Sequence, residues 1–181
     1  MDRVAKFEKV SLRQFLQDMY NTFNLDEVAQ TAHMSNDEMN MVQKMVYEGI
    51  KLPVRATQGS AGYDFASTVN FTLSPGSEVL IPTGIRCKID QGWVLKIYPR
   101  SGLGFKYRCI LANTVGIVDQ DYYSSKNEGH IFIKLVNNGL EKFEVREGEK
   151  IAQGLFEQYG ITYDDAATGV RNGGFGSTDK K

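Results

Sequence analysis

Cysteine and histidine are scarce in this chain. Cys87 and Cys109 are its only cysteines, and His33 and His130 its only histidines, in 181 residues. There is no CxxC pair and the histidines are far apart, so a structural zinc site is not expected. An excess of either charge is also missing: Lys+Arg number 21 and Asp+Glu 22, a net charge of −1. That balance speaks against nucleic acid as a partner, because non-specific binding is driven by neutralising phosphates. No apolar run approaches the roughly 20 residues that span a bilayer, so no membrane partner is expected. The opening MDRVAKFEKV is charged throughout and does not read as a signal peptide. These absences leave a cytoplasmic enzyme or binding domain with reduced thiols. What is present is ordinary globular composition, 41% hydrophobic and 24% charged, which argues against disorder. The length suits one compact domain with an appendage.

The chain changes character at Gly49. All six methionines lie at or before Met45, while no proline and no glycine precedes Gly49. Residues 1–49 carry five basic and eight acidic side chains, net −3, and residues 50–181 carry 16 and 14, net +2. The first segment, 1–49, reads as a largely helical extension. Ser11 followed by Gln14 is a capping-box pattern. Leu12, Phe15, Leu16, Met19, Tyr20 and Phe23 then share one helical face. Ser35 and Glu38 open a second helix whose stripe is Met39, Val42, Met45 and Val46, with Gly49 as its stop. The stripes are read as packing on the β domain or on each other; a partner-binding surface is the alternative.

From residue 50 to 168 the signals are those of strands. Glu78–Ile81, Ile85–Ile89, Trp93–Tyr98, His130–Val136 and Ile151–Phe156 are short runs rich in β-formers. Turn pairs separate several of them: Pro75-Gly76, Thr83-Gly84, Gln91-Gly92 and Asn138-Gly139. Asn138-Gly139 in particular predicts a hairpin. Many short strands at this spacing predict an all-β sandwich, jelly roll or barrel. Residues 169–181 are too rich in glycine to form a core element and read as a flexible C-terminal arm.

Five segments hold more polar residues and glycine than a β core needs. In Gly59–Phe65, Asp64 is either a turn aspartate or a carboxylate that holds a metal or its waters. In Tyr98–Gly104, Arg100, Ser101 and Gly102 can donate to phosphate oxygens. In Leu111–Tyr122, Asn113 offers a donor and an acceptor to an amide-like base edge. Asp119 follows the apolar pair Ile117-Val118 and suits a general base, with Asp121 as the other choice. Tyr122 offers a flat face to a sugar. In Gly148–Gly154, Lys150 and Gln153 can reach an anion. In Arg171–Thr178, glycine N–H groups and the Ser177 and Thr178 hydroxyls can bind phosphate, while Phe175 can stack on a base. The Gly-Lys-Ser/Thr ending of a Walker A loop is absent.

Together, in order, the stretches AGYDF, PRSGLG, ANTVGIVDQDY, GEKIAQG and RNGGFGST resemble the five motifs of the trimeric deoxyuridine triphosphatases (dUTPases), over roughly residues 50–178. The resemblance implies a distorted jelly-roll subunit of the β-clip kind. It implies a homotrimer with shared active sites, and hydrolysis of dUTP to dUMP and pyrophosphate with Mg²⁺ on the triphosphate. By position, Asp119 matches the general base that activates water against the α-phosphorus. Asn113, with Gly116 and Val118 beside it, matches the uracil-reading segment, and Tyr122 the tyrosine under the deoxyribose. Arg100, Ser101, Gly102 and Gln153 match phosphate contacts, and Asp64 the aspartate that meets the metal through water. Arg171, Phe175, Gly176, Ser177 and Thr178 match the closing arm. Three departures stand out: Lys150 where arginine is commoner, a long run over 123–128 after Tyr122, and a spacing of only four residues from Arg171 to Phe175. Two other uses of the same scaffold remain in view. One is a dCTP deaminase or bifunctional deaminase–dUTPase, for which the nearest glutamate is Glu128. The other is a nucleotide-switched regulatory protein that takes a protein partner through the N-terminal extension.

Overall fold

The structure is a computed structural model that describes residues 2–171. The predicted arm residues Phe175, Gly176, Ser177 and Thr178 lie outside them. The chain runs β1 (Ala5–Lys9), α1 (Leu12–Phe23), α2 (Leu25–Thr31), α3 (Asn36–Gly49), β2 (Val54–Arg55), β3 (Tyr63–Ala66), β4 (Phe71–Leu73), β5 (Glu78–Pro82), β6 (Ile85–Ile89) and β7 (Trp93–Pro99). It continues with α4 (Ser101–Tyr107), β8 (Cys109–Leu111), β9 (Gly116–Val118), a 3-10 turn over Gln120–Ser124, β10 (Phe132–Asn137), β11 (Phe143–Val145) and β12 (Lys150–Gln158). This is a mostly β jelly roll with a helical unit on it.

The strands form four small sheets, ordered β1-β6, β5-β10-β8, β11-β4 and β2-β3-β12-β7-β9. Apart from β2 and β3, neighbours in sequence among the described strands do not pair. The Asn138-Gly139 hairpin is therefore not formed. The chain instead changes sheets there, and Asn137 holds the corner. Its amide donates to Leu73 O (2.8 Å) and Glu141 O (2.9 Å), and its Oδ1 accepts from the Gly139 N–H (3.0 Å). Alternating burial along each strand fills the interior between the sheets. Phe65, Leu73, Ile81, Leu95, Ile133, Leu135 and Ile151 are fully buried there.

The first segment differs from its helical reading at its start. Residues 5–9 form a strand that pairs antiparallel with β6, from Ala5↔Ile89 to Lys9↔Ile85. Phe7 sits in the main core, with ring centroids 5.4 Å from Tyr63, 5.6 Å from Phe65 and 5.7 Å from Phe156. Only one large apolar residue of β1 faces inward, too weak a pattern to read against the capping signal that follows. The helices at 12–49 therefore lie between two strands of the β body.

Both predicted caps are made, in different ways. Ser35 and Glu38 form the full reciprocal box, with Ser35 Oγ accepting from Glu38 N (3.2 Å) and the Glu38 carboxylate accepting from Ser35 N (2.8 Å). Ser11 Oγ accepts from Gln14 N (3.1 Å), but the return bond to Ser11 N comes from Glu128 (2.7 Å), not from Gln14. On α1, Phe15 and Met19 are buried, and Asp18 with them. On α3, Met39 is buried and Val46 packs beside it, while Val42 and Met45 remain exposed.

Candidate active site

The predicted site residues within the described chain gather in two places. The first is a cavity of about 290 Å³ at the edge of the largest sheet. Asn113, Gly116, Val118, Tyr122 and Arg171 line it, with apolar walls from Ile97 and Ile131. β9 ends this sheet and pairs on one side only, through Ile97↔Gly116 and Leu95↔Val118. An edge strand leaves backbone N–H and C=O groups for a flat polar ring. A side chain at Gly116 would place its Cβ 3.2 Å from Ile97 Cβ and 3.9 Å from Asn113 Nδ2, so glycine lets the backbone approach closely there.

Asp119 and Asp121 follow β9 and are about half-exposed, joined to the cavity by Arg171 of its wall. Arg171 bridges them, donating from Nη2 to Asp119 and from Nε to Asp121 Oδ1 (2.8 Å). Tyr122 is buried and fixed at its hydroxyl. It donates to His130 O (2.6 Å) and accepts from Asn127 Nδ2 (2.7 Å). Burial pushes the Tyr122 phenol above its ordinary pKa. Its ring, not its hydroxyl, is what the cavity receives.

The run 123–128 is docked rather than loose. Ser125 Oγ donates to Tyr122 O (2.6 Å), and the Arg86 guanidinium lies 3.6 Å over the Tyr123 ring. Gly129 turns the chain back at φ +70°, where a Cβ would stand 2.7 Å from Tyr123 Cα. Glu128 is engaged with α1, accepting from both Ser11 N and Ser11 Oγ at 2.7 Å. Burial raises its proton affinity, but the Ser11 bonds and the nearby Arg86 overcome this and hold the carboxyl below the ordinary range.

The second gathering is on β3, β12 and the start of α4. Asp64, with a side chain only 9% exposed, receives Lys150 Nζ at 2.6 Å and Arg100 Nε at 3.3 Å. Gln153 pairs across the sheet with Asp64, and a Cβ at Gly62 would stand 2.7 Å from Gln153 Oε1. A bulge in β12 between Lys150 and Ala152 lets Ile151 and Ala152 both be buried while Lys150 rejoins Asp64. The predicted Arg100–Ser101–Gly102 turn is the opening of α4, with Arg100 at the cap position and Gly102 unobstructed.

Strand alternation separates the two gatherings. Gly116 and Val118 are in register with Ile97 and Leu95, buried on the core side. Asp64, Gln153 and Tyr98 are in register with one another and alternate with buried Phe65, Ala152 and Ile97. Gly116 and Val118 therefore lie on the opposite face of this sheet from Asp64 and Gln153.

Sequence reasoning missed three contributors. The sequence reads His130 as a structural residue opening a strand; it lies just before β10, fully buried, with its carbonyl on Tyr122. Asn127 and Asp18 join it. No local spacing marks the pairing of His130 with Asp18, which are 112 residues apart.

A family model described as dUTPase matches residues 48–179. The chain is 38% identical over 141 residues to the deoxyuridine 5'-triphosphate nucleotidohydrolase of Lactococcus lactis subsp. lactis, covering 76% of this chain and 94% of that protein. It is 34% identical over 156 residues to the same enzyme of Escherichia coli K12, covering 82% and 100%. Among solved structures, the dUTPase of Streptococcus mutans matches with a TM-score of 0.56 at 36% identity, over 61% of this chain and 88% of that one. The dUTPase of Staphylococcus aureus phage phi11, described with a structural Mg(II) ion, matches in fold with a TM-score of 0.56 at 20% identity, over 67% and 92%.

Proposed function

The chain belongs to the dUTPase family and has the activity of a dUTP diphosphatase; from that premise we propose how its residues divide the work. The observation that carries the assignment is the edge-strand cavity, where Asn113, Gly116, Val118 and Tyr122 meet and whose wall residue Arg171 is bonded to Asp119. Uracil enters beside β9 and is read by the Asn113 amide and the strand backbone. The deoxyribose lies on the Tyr122 ring. Asp119 takes the proton of the water that attacks the α-phosphorus. Arg100, the Ser101 and Gly102 N–H groups, and Gln153 bind the phosphate chain, and Lys150 adds a cation beside them. Phe175, Gly176, Ser177 and Thr178 close the site as the arm. Arg171 passes from Asp119 and Asp121 to the γ-phosphate as they close, which frees the Asp119 carboxylate for the water.

The residues fit Mg²⁺ as a partner of the triphosphate. Asp64 is one carboxylate beside the phosphate-binding groups, and no cluster of three metal ligands occurs among the described residues. Mg²⁺ commonly keeps several waters and takes phosphate oxygens. Asp64 would hold it through water. When bound, the ion supplies charge neutralisation on the phosphates.

The two faces support a homotrimer with shared sites. One nucleotide cannot lie on both sides of a sheet, so the anion-binding face of a second copy would meet the cavity of the first. Exposed Val54 (61%), in register with Asp64, and exposed Ile117 (53%), in register with Lys96, suit such a contact. A cytoplasmic location suits two free, buried cysteines. No helix among the described residues is long and apolar enough to cross a membrane. A protein partner on the helical unit is a second reading, favoured by exposed Met41 and Met45. Replacing both with glutamate would abolish such binding and leave hydrolysis intact.

The deciding assay is pyrophosphate release from dUTP, with dCTP, dTTP and UTP as controls. Wild type should turn over dUTP selectively. Asp119→Asn should lose about 10²–10⁴-fold in kcat, the range of a general base. Turnover that survives the substitution would move the base to Asp121.

A further inference from the structure

Two sequence features are left over by the catalytic roles: the helical unit at 12–49 and the long run after Tyr122. They hold each other. Ser11 N and Oγ donate to the Glu128 carboxylate, and Tyr123 OH donates to Glu8 at 2.7 Å. Beneath them is a relay of buried groups. Asp18 of α1 is 8% exposed and His130 is fully buried, with His130 Nδ1 2.6 Å from Asp18 Oδ2. His130 Nε2 accepts the Gly84 N–H at 2.7 Å. That nitrogen therefore carries no proton; the proton is on Nδ1 and is donated to Asp18. Gln14 Nε2 steadies the same carboxylate oxygen from one helical turn away, at 2.8 Å. From the other side of His130, its carbonyl accepts the Tyr122 hydroxyl at 2.6 Å.

We propose that Asp18 is a positioning residue for the nucleotide pocket: by holding His130 in place it fixes the Tyr122 ring, so the helical unit sets the discrimination between deoxyribose and ribose. This rests on the role assigned to Tyr122 above. A buried imidazole N–H deprived of its acceptor must turn or admit water. The His130 backbone then shifts, and the Tyr122 hydroxyl follows through its short bond. Rejection of an added hydroxyl by close packing is worth about a hundredfold, and a displacement of about 1 Å can forfeit most of such a factor.

The test is steady-state kinetics of the full chain on dUTP and UTP with Mg²⁺. The variants are Asp18→Ala, Asp18→Asn and Leu25→Ala, with thermal melting of each. Leu25 is buried in the core of the helical unit and stands outside the relay, so it controls for stability alone. Loss of a mere staple lowers the active fraction for both substrates equally. Loss of positioning changes their ratio. Asp18→Ala should lower the dUTP-to-UTP ratio of kcat/KM by about tenfold, mainly through KM, since binding geometry and not the base is altered. Asp18→Asn keeps an acceptor for Nδ1–H and should stay within about threefold of wild type. Leu25→Ala should lower the melting temperature and leave the ratio unchanged. An unchanged ratio in folded Asp18→Ala, or the same shift in Leu25→Ala, overturns the proposal. If Asp18→Ala does not fold, Asp18→Glu displaces the acceptor by one methylene, and an unchanged ratio there overturns it equally. Wild type that hydrolyses no dUTP would be a failure of the catalytic reading itself, and the proposal would fall with it.

Discussion

Asp119 and the two cysteines show how differently the same medium treats acidic side chains. Asp119 is half-exposed and paired with the Arg171 guanidinium. Cys87 and Cys109 lie in the sheet interior, where burial pushes their thiols up to about 12 and about 11. A thiolate is the reactive form, and it is essentially absent at neutral pH at such values. Neither cysteine should react with iodoacetamide in the native protein at pH 8, and both should react in urea; mass spectrometry counts the labels. Labelling of the native fold would mean that the β-sheet interior opens on the labelling timescale. At this scale the sequence is informative about chemistry and poor about anchoring. Asn113, Asp119 and Tyr122 lie within ten residues, and their types suggest their work. The groups that fix Tyr122 come from Asn127, His130 and, through it, Asp18, which pattern reading has no means to connect. A buried histidine and a solvated one look alike in a sequence.

The helical unit docks on the β body through buried Phe15 and Met19 and also through carboxylate bonds, and the latter make its docking sensitive to acid. Glu8 and Glu128 both titrate below the ordinary carboxylate value of 4.5. For Glu8 the causes are the hydrogen bonds from Lys6 and then Tyr123. For Glu128, burial opposes the shift and the Ser11 bonds with Arg86 prevail. A carboxyl with a depressed folded value contributes its full stabilisation above the unfolded value. It loses that stabilisation as pH falls through the folded one. The amides of α1 should therefore keep their hydrogen-exchange protection from pH 7 down to about 5 and lose it progressively below 4.5. Glu128→Gln should flatten that dependence, and an equally steep loss in the variant would remove Glu128 from the account. The same element explains a partly legible cap. Ser11 and Gln14 mark the helix start correctly, yet Gln14 turns to Asp18 and Glu128 supplies the return bond from 117 residues away. The strands β5, β6, β7, β10 and β12 were legible because each has five or more residues rich in β-formers. The missed strands, such as β4, β9 and β11, have three residues each, too few to show a period.

For the whole molecule, the decisive feature is that Gly116 and Val118 fall on the opposite face of one sheet from Asp64 and Gln153, which under the proposed roles separates base reading from anion binding. An all-β sandwich, jelly roll or barrel could be inferred from many short β-rich runs, and the order of the five motifs pointed to the jelly roll and to the reaction. The division between faces could not be inferred, because it depends on register: Gln153↔Asp64 and Gln153↔Tyr98 on one side of the sheet, Gly116↔Ile97 and Val118↔Leu95 on the other. If two copies complete each site, inactive chains should rescue one another. Asp119→Asn destroys the cavity side of its own chain and leaves the anion-binding face whole. Arg100→Ala does the reverse. Co-expressed in equal amounts and assembled at random, a site is intact when its cavity comes from the Arg100→Ala chain and its anion-binding face from the Asp119→Asn chain. Each choice has an even chance, so about a quarter of wild-type turnover should return in the mixture, while each variant alone stays inactive. Light scattering of the mixture should give a mass about three times that of one chain if the assembly is a cyclic trimer. A mixture as inactive as its parts would place both halves of the site within one chain, and the face assignment would then have to be abandoned.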